Sequence, residues 1–261
     1  MGRKTFADMT EIKKISVSDE YRRLIEWFYQ GINDEDPLCC VAEEDFQEYP
    51  FRDTCTTLDD YDNTFGFIFP KAIKDSDLAT LLIFCEYARN ILDYSSKHSP
   101  WSGDVKAFFR NIKLIMEKIS YKEYLCESGK IIYIPDSAEV SEVSAVVPPA
   151  LSGKINEYNH RSNKGNLNEK LIILKLMADD IEPQRKELRN VNGTLESNLF
   201  QMLQKFVRHN NSENQHIAHM TPQEIEAAYD DIYQMWLLAK LELRNVERSN
   251  RIKALLGKIN S

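Results

Sequence analysis

The sequence predicts a mainly α-helical protein, a helical bundle with one small β-hairpin and a long C-terminal helix. Nine Gly and nine Pro in 261 residues are few for a chain of short strands and turns, and they favour long helices with short connections. Apolar residues recur at helical spacing through most of the chain, whereas a strand pattern is clear at one place. The apolar content of 43% and the charged content of 28% are typical of a folded globular protein.

The first half of the chain predicts helices and then the hairpin. Apolar residues follow the 3.6-residue helical period over about 18–30, 76–92 and 104–119. Two strand-like runs, 121–126 and 130–134, are joined by Glu127-Ser128-Gly129 and suit a hairpin. Because a lone hairpin is not stable in water, we expect it to lie on the helices.

The second half predicts a separate bundle. A turn at 163–166 indicates a domain boundary. It divides the chain into a mixed helical region over 1–165 and a helical bundle over 166–261. Asn166 is expected to cap a long helix that Pro183 interrupts. The acidic end of that helix, Asp179–Glu182, is expected to be a solvated turn. A further helix is expected over 194–207.

The last helix has the clearest signals. Thr221 and Glu224 form a capping box around Pro222. From Met235 to Leu243 the helix is apolar nearly all round, so this stretch is predicted to be the centre of a bundle or part of a subunit interface. A single helix of this length would span about 57 Å, and we expect either a kink or break near 245–250 or a protruding end.

Charge, cysteines and hydropathy limit the function classes. Residues 34–62 hold eleven acids and one base, so this segment is −10 and the rest of the chain, with a total of −8, is +2. A broad basic surface for nucleic acid is therefore not expected. The acidic segment 34–62 is expected to be a solvated surface loop, a carboxylate metal site or a docking surface for a basic protein partner. Five cysteines without a CxxC pair predict reduced thiols in a cytoplasmic protein. No signal peptide and no membrane-spanning segment is predicted, so no membrane partner is expected.

Residues able to carry chemistry concentrate at the junction before the last helix. Arg208, His209, Asn210, Asn211 and His216 follow one another between two predicted helices. In RNA cleavage a base near neutral pKa must take the proton of a 2′-hydroxyl, and histidine supplies such a base. Negative charge grows on the phosphoryl oxygens, and a planar guanidinium stabilises it. Neither a metal nor a cofactor is required by this chemistry.

This arrangement resembles the HEPN superfamily over about residues 166–258. Active members of that superfamily are metal-independent ribonucleases, many of them toxins, abortive-infection proteins or nuclease parts of CRISPR systems. The resemblance implies that Arg208 is the family arginine, His209 the following polar residue and His216 the catalytic histidine. The amide side chains of Asn210 and Asn211 are candidates for orienting the substrate. It also implies an RNA substrate and a homodimer. The gap between Arg208 and His216 is seven residues, where the family usually has four to six, so His209 or His219 are alternatives for the catalytic role.

A second interpretation gives the same residues a structural role. Arg208 and His209 would end one helix, where cations complement the helix dipole, and the asparagines would fill a loop. The chain would then be a non-catalytic helical interaction or regulatory protein that docks a partner through the acidic segment. A zinc site from His209, His216 and His219 fits no metal-ligand spacing.

Overall fold

The computed structural model describes residues 16–31, 36–44, 46–67, 69, 77–95, 102–208 and 217–259. The chain divides into two compact units, Met1–Tyr133 and Ile134–Ser261. The protein is 76% helical, with one two-stranded hairpin and a long C-terminal helix, so the predicted fold class is confirmed.

The first unit contains helices that bury their apolar faces in one core rich in aromatic rings. Its helices are α1 (Val17–Gln30), α2 (Leu38–Glu44), α3 (Leu58–Phe65), α4 (Leu78–Ser95) and α5 (Ser102–Lys118). The strands β1 (Tyr121–Leu125) and β2 (Ile131–Pro135) follow. Predicted and observed bounds of α1, α4, α5 and the strands agree within a few residues, since each carries its own apolar period.

Helix α4 anchors the hairpin. This support was expected, because a lone hairpin is not stable in water. The Asn90 side-chain amide donates to the Ile131 carbonyl at 2.7 Å, and the Ile131 N–H donates to Asn90 Oδ1 at 2.8 Å. The Tyr133 N–H donates to Glu86 Oε1 at 2.9 Å. On β1, Glu123 accepts from Arg89 of the same helix at 2.9 Å. Side chains of α4 therefore pair with backbone groups that the two-stranded sheet leaves open.

The acidic segment contains helical structure and is not simply a loop. It includes α2, α3 and a 3₁₀ turn at Phe46–Glu48. Its base, Arg52, donates to the backbone carbonyls of Gln47 at 2.7 Å and Cys55 at 2.8 Å. The arginine therefore closes a loop by hydrogen bonds to carbonyl groups. Phe46 is buried in the core of the first unit, which explains how so acidic a segment stays folded.

Asp62 on α3 predicts a pH dependence of the first unit. Burial raises the pKa of this carboxyl to about 6, the nearby Tyr87 hydroxyl partly offsets the rise, and Asp59 adds to it. Because the pKa of the folded state lies above the ordinary value of 3.8, the carboxyl favours folding below about pH 4, and this stability is lost as the pH rises through about 6. Asp62→Asn should raise the free energy of unfolding at pH 7.5 by about 1–2 kcal/mol, after a discount for partial exposure.

Urea unfolding of wild type and Asp62→Asn at pH 4.5 and 7.5 measures this effect. The exposed Glu48 provides a matched control, since Glu48→Gln removes one carboxylate of the same segment from the surface. An unchanged pH dependence in Asp62→Asn would contradict the assignment.

The second unit is a helical bundle around the final helix. Its helices are α6 (Ala138–Ser144), α7 (Pro149–Tyr158), α8 (Leu167–Ile181), α9 (Arg185–Val191), α10 (Gly193–Met202) and α11 (Pro222–Ile259). Asn166 caps α8, Pro183 lies in a 3₁₀ turn at its end, and Thr221 and Glu224 form the expected capping box. The π-helical turn Leu203–Arg208 directly continues α10.

The division between the units lies earlier than the boundary placed at 165. Helices α6 and α7 contribute Val140, Val143, Leu151, Ile155 and Tyr158 to the same core as α8 and α11. The turn at 163–166 thus reverses the chain within a compact unit. Turn residues mark a reversal of direction, and such reversals occur inside domains as well as between them.

The apolar stretch Met235–Leu243 packs largely within the second unit. Trp236 is fully buried, and its indole N–H donates to the Met177 carbonyl of α8 at 2.8 Å. Tyr233 stacks on Tyr158 with ring centroids 4.1 Å apart. Packing inside one chain therefore accounts for the apolar pattern without a subunit interface. Helix α11 is continuous from Pro222 to Ile259, so of the expected alternatives the protruding end is the one observed, with residues 250–259 exposed.

Candidate functional site

Arg208 lies at the end of the π-helical turn that continues α10. Leu203 and Val207 of this turn are fully buried in the second core, and they fix the backbone from which Arg208 projects. Short π-helical stretches are rare and often occur at functional sites. The Arg208 side chain keeps 34% of its surface exposed, and its Nη2 donates to Glu182 Oε2. The guanidinium is thus positioned by a carboxylate and still reachable from solvent.

Glu182 owes its position to the end of α8. Helix α8 stops at Ile181, and Glu182 begins the 3₁₀ turn that contains Pro183. This turn brings the Glu182 carboxylate to Arg208, 26 residues later in the chain, and within 4.0 Å of Arg185 Nη1. One carboxylate therefore lies between two guanidinium groups.

Glu196 on α10 holds a second pair of arginines. Its carboxylate is 4% exposed and accepts from Arg185 Nε at 2.6 Å and from Arg189 Nη2 at 2.8 Å. These hydrogen bonds, Arg189 first and Arg185 second, lower the pKa of Glu196 to about 2. The Arg185 guanidinium also lies 4.3 Å from the centroid of the Phe200 ring. Both arginines are thereby fixed in orientation on the surface of α9.

The pairs form one continuous group of charges. Arg208, Glu182, Arg185, Glu196 and Arg189 are linked in this order by ion pairs of 4.0 Å or less. Three guanidiniums and two carboxylates leave one excess positive charge, in a chain whose net charge is −8. We call Arg185, Arg189 and Arg208 the arginine cluster. Its side chains are 43%, 60% and 34% exposed, so an anion can approach each of them.

The histidines and asparagines of the predicted site are placed only in part. His209, Asn210, Asn211 and His216 lie outside the described residues. His219 lies in the turn at 217–219 that precedes the capping box of α11, and it is exposed. Within the described ranges, no three His, Cys, Asp or Glu side chains are arranged to hold a metal ion.

The acidic end of α8 differs from the solvated turn that was expected. Asp180 is 14% exposed and lies 2.9 Å from Lys240 Nζ of α11, which is itself 7% exposed. Lys240 also donates to Gln184 Oε1 at 3.2 Å. The expectation was wrong for Asp180 because a buried lysine of a distant helix needs an anionic partner, and α8 supplies it. Glu182, at the same helix end, is the partner of Arg208.

The acidic segment of the first unit carries a shallow cleft of about 390 Å³. Its lining mixes carboxylates with apolar side chains and comprises Glu43, Phe46, Gln47, Thr56, Thr57, Leu58 and Asp59. This composition suits a basic side chain with an apolar stem.

Sequence reasoning missed Arg185, Arg189 and Glu196. A local signal was present, because Arg185 and Arg189 are four residues apart and share a face of α9. The pairs of Arg185 with Glu196 and of Arg208 with Glu182 depend on how α8, α9 and α10 pack, and no local pattern predicts them.

Comparisons of the chain with protein families, curated proteins and solved structures found no match. Among the described residues, no helix is both long and apolar enough to cross a membrane.

Proposed function

We propose that this chain is a metal-independent endoribonuclease whose reaction centre is the corner around Arg208. The observation that carries the proposal is the partly exposed Arg208 guanidinium, held by Glu182 at the end of the π-helical turn. In the sequence, two histidines and three asparagines follow within eight residues. A preorganised cation is thus followed closely in the sequence by candidates for a general base.

The proposed reaction uses the 2′-hydroxyl of the RNA as nucleophile. His216, or His209 in its place, removes the 2′-hydroxyl proton, and the 2′-oxygen attacks phosphorus. The bond from phosphorus to the 5′-oxygen breaks, the leaving oxygen takes a proton, and a 2′,3′-cyclic phosphate remains. Arg208 donates hydrogen bonds to the phosphoryl oxygens as their negative charge grows. Asn210 and Asn211 orient the substrate.

The arginine cluster supports an RNA ligand. RNA carries one phosphate per nucleotide, and arginines fixed by carboxylates lose little side-chain entropy when they contact phosphate oxygens. Arg185 and Arg189 continue the series of cations from Arg208, so they would contact phosphates next to the one at Arg208. The net charge outside the acidic segment is close to neutral, so the chain has no broad basic surface for a long RNA. The arginine cluster is a local group of cations and suits a short RNA contact.

The proposal extends to a biological role. By resemblance to HEPN ribonucleases, the enzyme would act in the cytoplasm of a bacterium as a toxin or an abortive-infection protein in phage defence. A homodimer would bring two Arg208 corners together at one substrate.

A second candidate function is a non-catalytic helical interaction protein. The observation that favours it is that each member of the arginine cluster already has a carboxylate partner. Under this alternative the ion pairs tie α8, α9 and α10 together. The acidic segment 34–62, with its cleft, docks a basic protein.

Incubation of the purified protein with single-stranded RNA in EDTA separates the two candidates. The ribonuclease should cut RNA in EDTA and leave fragments with 2′,3′-cyclic phosphate and 5′-hydroxyl ends. An oligonucleotide of the same sequence made of deoxynucleotides should stay intact, because it lacks the nucleophile. Absence of cleavage across a set of RNAs of mixed sequence and structure would favour the interaction protein.

A further inference from the structure

The end of α11 presents an apolar face that the rest of the described chain does not cover. Every residue from 250 to 259 is exposed. Ile252, Leu255, Leu256 and Ile259 are 49%, 60%, 52% and 77% exposed, and we call them the apolar stripe. Their spacing of i, i+3, i+4 and i+7 puts all four on one face of the helix.

Nearer its start, α11 packs against the second core, and Leu238 is the exposed large apolar side chain of that part among the described residues. Trp236 and Leu243 are buried in the second core, and Arg244 and Arg248 form ion pairs with Glu142 of α6. Beyond these pairs the helix continues for three more turns. Aliphatic side chains of this size and number are unusual on a fully exposed helix segment, and contiguous apolar patches mark interaction surfaces.

The charges around the apolar stripe have one sign. From residue 248 to 259 there are four bases and no acid. With about 100° of rotation per residue, Arg251 lies roughly 40° beyond one edge of the stripe and Lys253 roughly 60° beyond the other edge. Cations therefore border both sides of the apolar face, and a partner must offer carboxylates at both sides.

A second copy of this chain fits these features poorly as the occupant. Pairing two stripes would bring the bordering cations of both copies together, which is destabilising. Four residues a side also fall well short of the roughly 20–30 residues a side that stable specific interfaces use.

We propose that the end of α11 is a docking helix for a different protein, which offers an apolar groove rimmed by acidic side chains. An amphipathic helix that binds in a groove commonly uses four apolar side chains at this spacing. A groove also encloses the helix on more than one side, which fits a helix end that is exposed on every side. The inference is independent of the proposed ribonuclease activity.

Two designed helical hairpins provide the probe. Both present the same Leu-lined groove, one with a rim of Glu and the other with a rim of Lys. Fluorescence anisotropy of each labelled hairpin, titrated with the full chain, should show that the Glu-rimmed hairpin binds at least 10-fold more tightly. Leu255→Glu should weaken this binding at least 10-fold. Leu238, on the same face of α11 and 47% exposed, gives the matched control, and Leu238→Glu should leave the binding unchanged.

Several results would overturn the proposal. Equal affinity for the two hairpins would exclude recognition of an acidic rim, and absence of binding would exclude groove docking. An equal loss in Leu255→Glu and Leu238→Glu would place the contact elsewhere. Sedimentation that shows a dimer lost in Leu255→Glu would identify a second copy as the occupant, and binding to anionic vesicles lost in the same variant would identify a lipid surface.

Discussion

Arg208→Ala is expected to lower the rate of RNA cleavage in EDTA by at least about 100-fold, the range seen when an enzyme loses one donor to a developing oxyanion. The phosphoryl oxygens would lose a planar cation, and Glu182 would keep only its 4.0 Å ion pair with Arg185. Arg208→Lys keeps the charge and loses the two parallel donors, so it should restore only a minor part of the rate. Gel analysis of a labelled RNA at fixed protein concentration measures both variants.

Arg244 provides the matched control for this experiment. It is also an arginine of the second unit in an ion pair with a glutamate, since its Nε lies 3.0 Å from Glu142 Oε1, and 25% of its side chain is exposed. Arg244→Ala should therefore have a similar effect on stability and none on cleavage. Full activity in Arg208→Ala, or an equal loss in both variants, would refute the catalytic role of Arg208.

Trp236→Ala is expected to destabilise the second unit by about 4 kcal/mol, the usual range for removing a large buried aromatic side chain. Trp236 is fully buried at the centre of the bundle, and the variant would also leave the Met177 carbonyl without its indole donor. A loss of this size is a large part of the stability of a typical domain, so the second unit should be partly unfolded at 37 °C.

Native-state hydrogen exchange read by mass spectrometry locates this effect. Peptides from 134–208 and 217–259 should lose protection, whereas peptides from the first unit should keep it, because the two units have separate cores. Leu238→Ala, two residues further along α11 at an exposed position, should change stability by less than about 0.5 kcal/mol. Uniform loss of protection in both units would show that they unfold together.

Most of the helical architecture could be predicted because its signals are local. The capping box at Thr221 and Glu224, the cap at Asn166 and the interruption at Pro183 each depend on residues within a single turn of the chain. Helix α6, over Ala138–Ser144, was missed because a short run of Ser, Ala, Glu and Val has no distinct apolar period.

The candidate site could be predicted only in part. Arg208 stands out in the sequence because helix signals place it at a junction. Its partner Glu182 and the pair of Arg185 with Glu196 could not be predicted, because ion pairs between residues 26 and 11 positions apart depend on the packing of α8, α9 and α10. Asp180 illustrates the same limit, since its partner Lys240 lies on α11.

The amino-acid order alone therefore sets where the helices begin and end, which faces are apolar, and where residues able to carry chemistry are concentrated. These properties follow from periodicity and capping over a few residues. Packing decides which charges meet, that most of Met235–Leu243 is covered within the chain, and that the stripe at Ile252–Ile259 is not covered by the described residues. The physical reason is that burial and charge pairing depend on distance in space, and residues far apart in sequence share no local pattern.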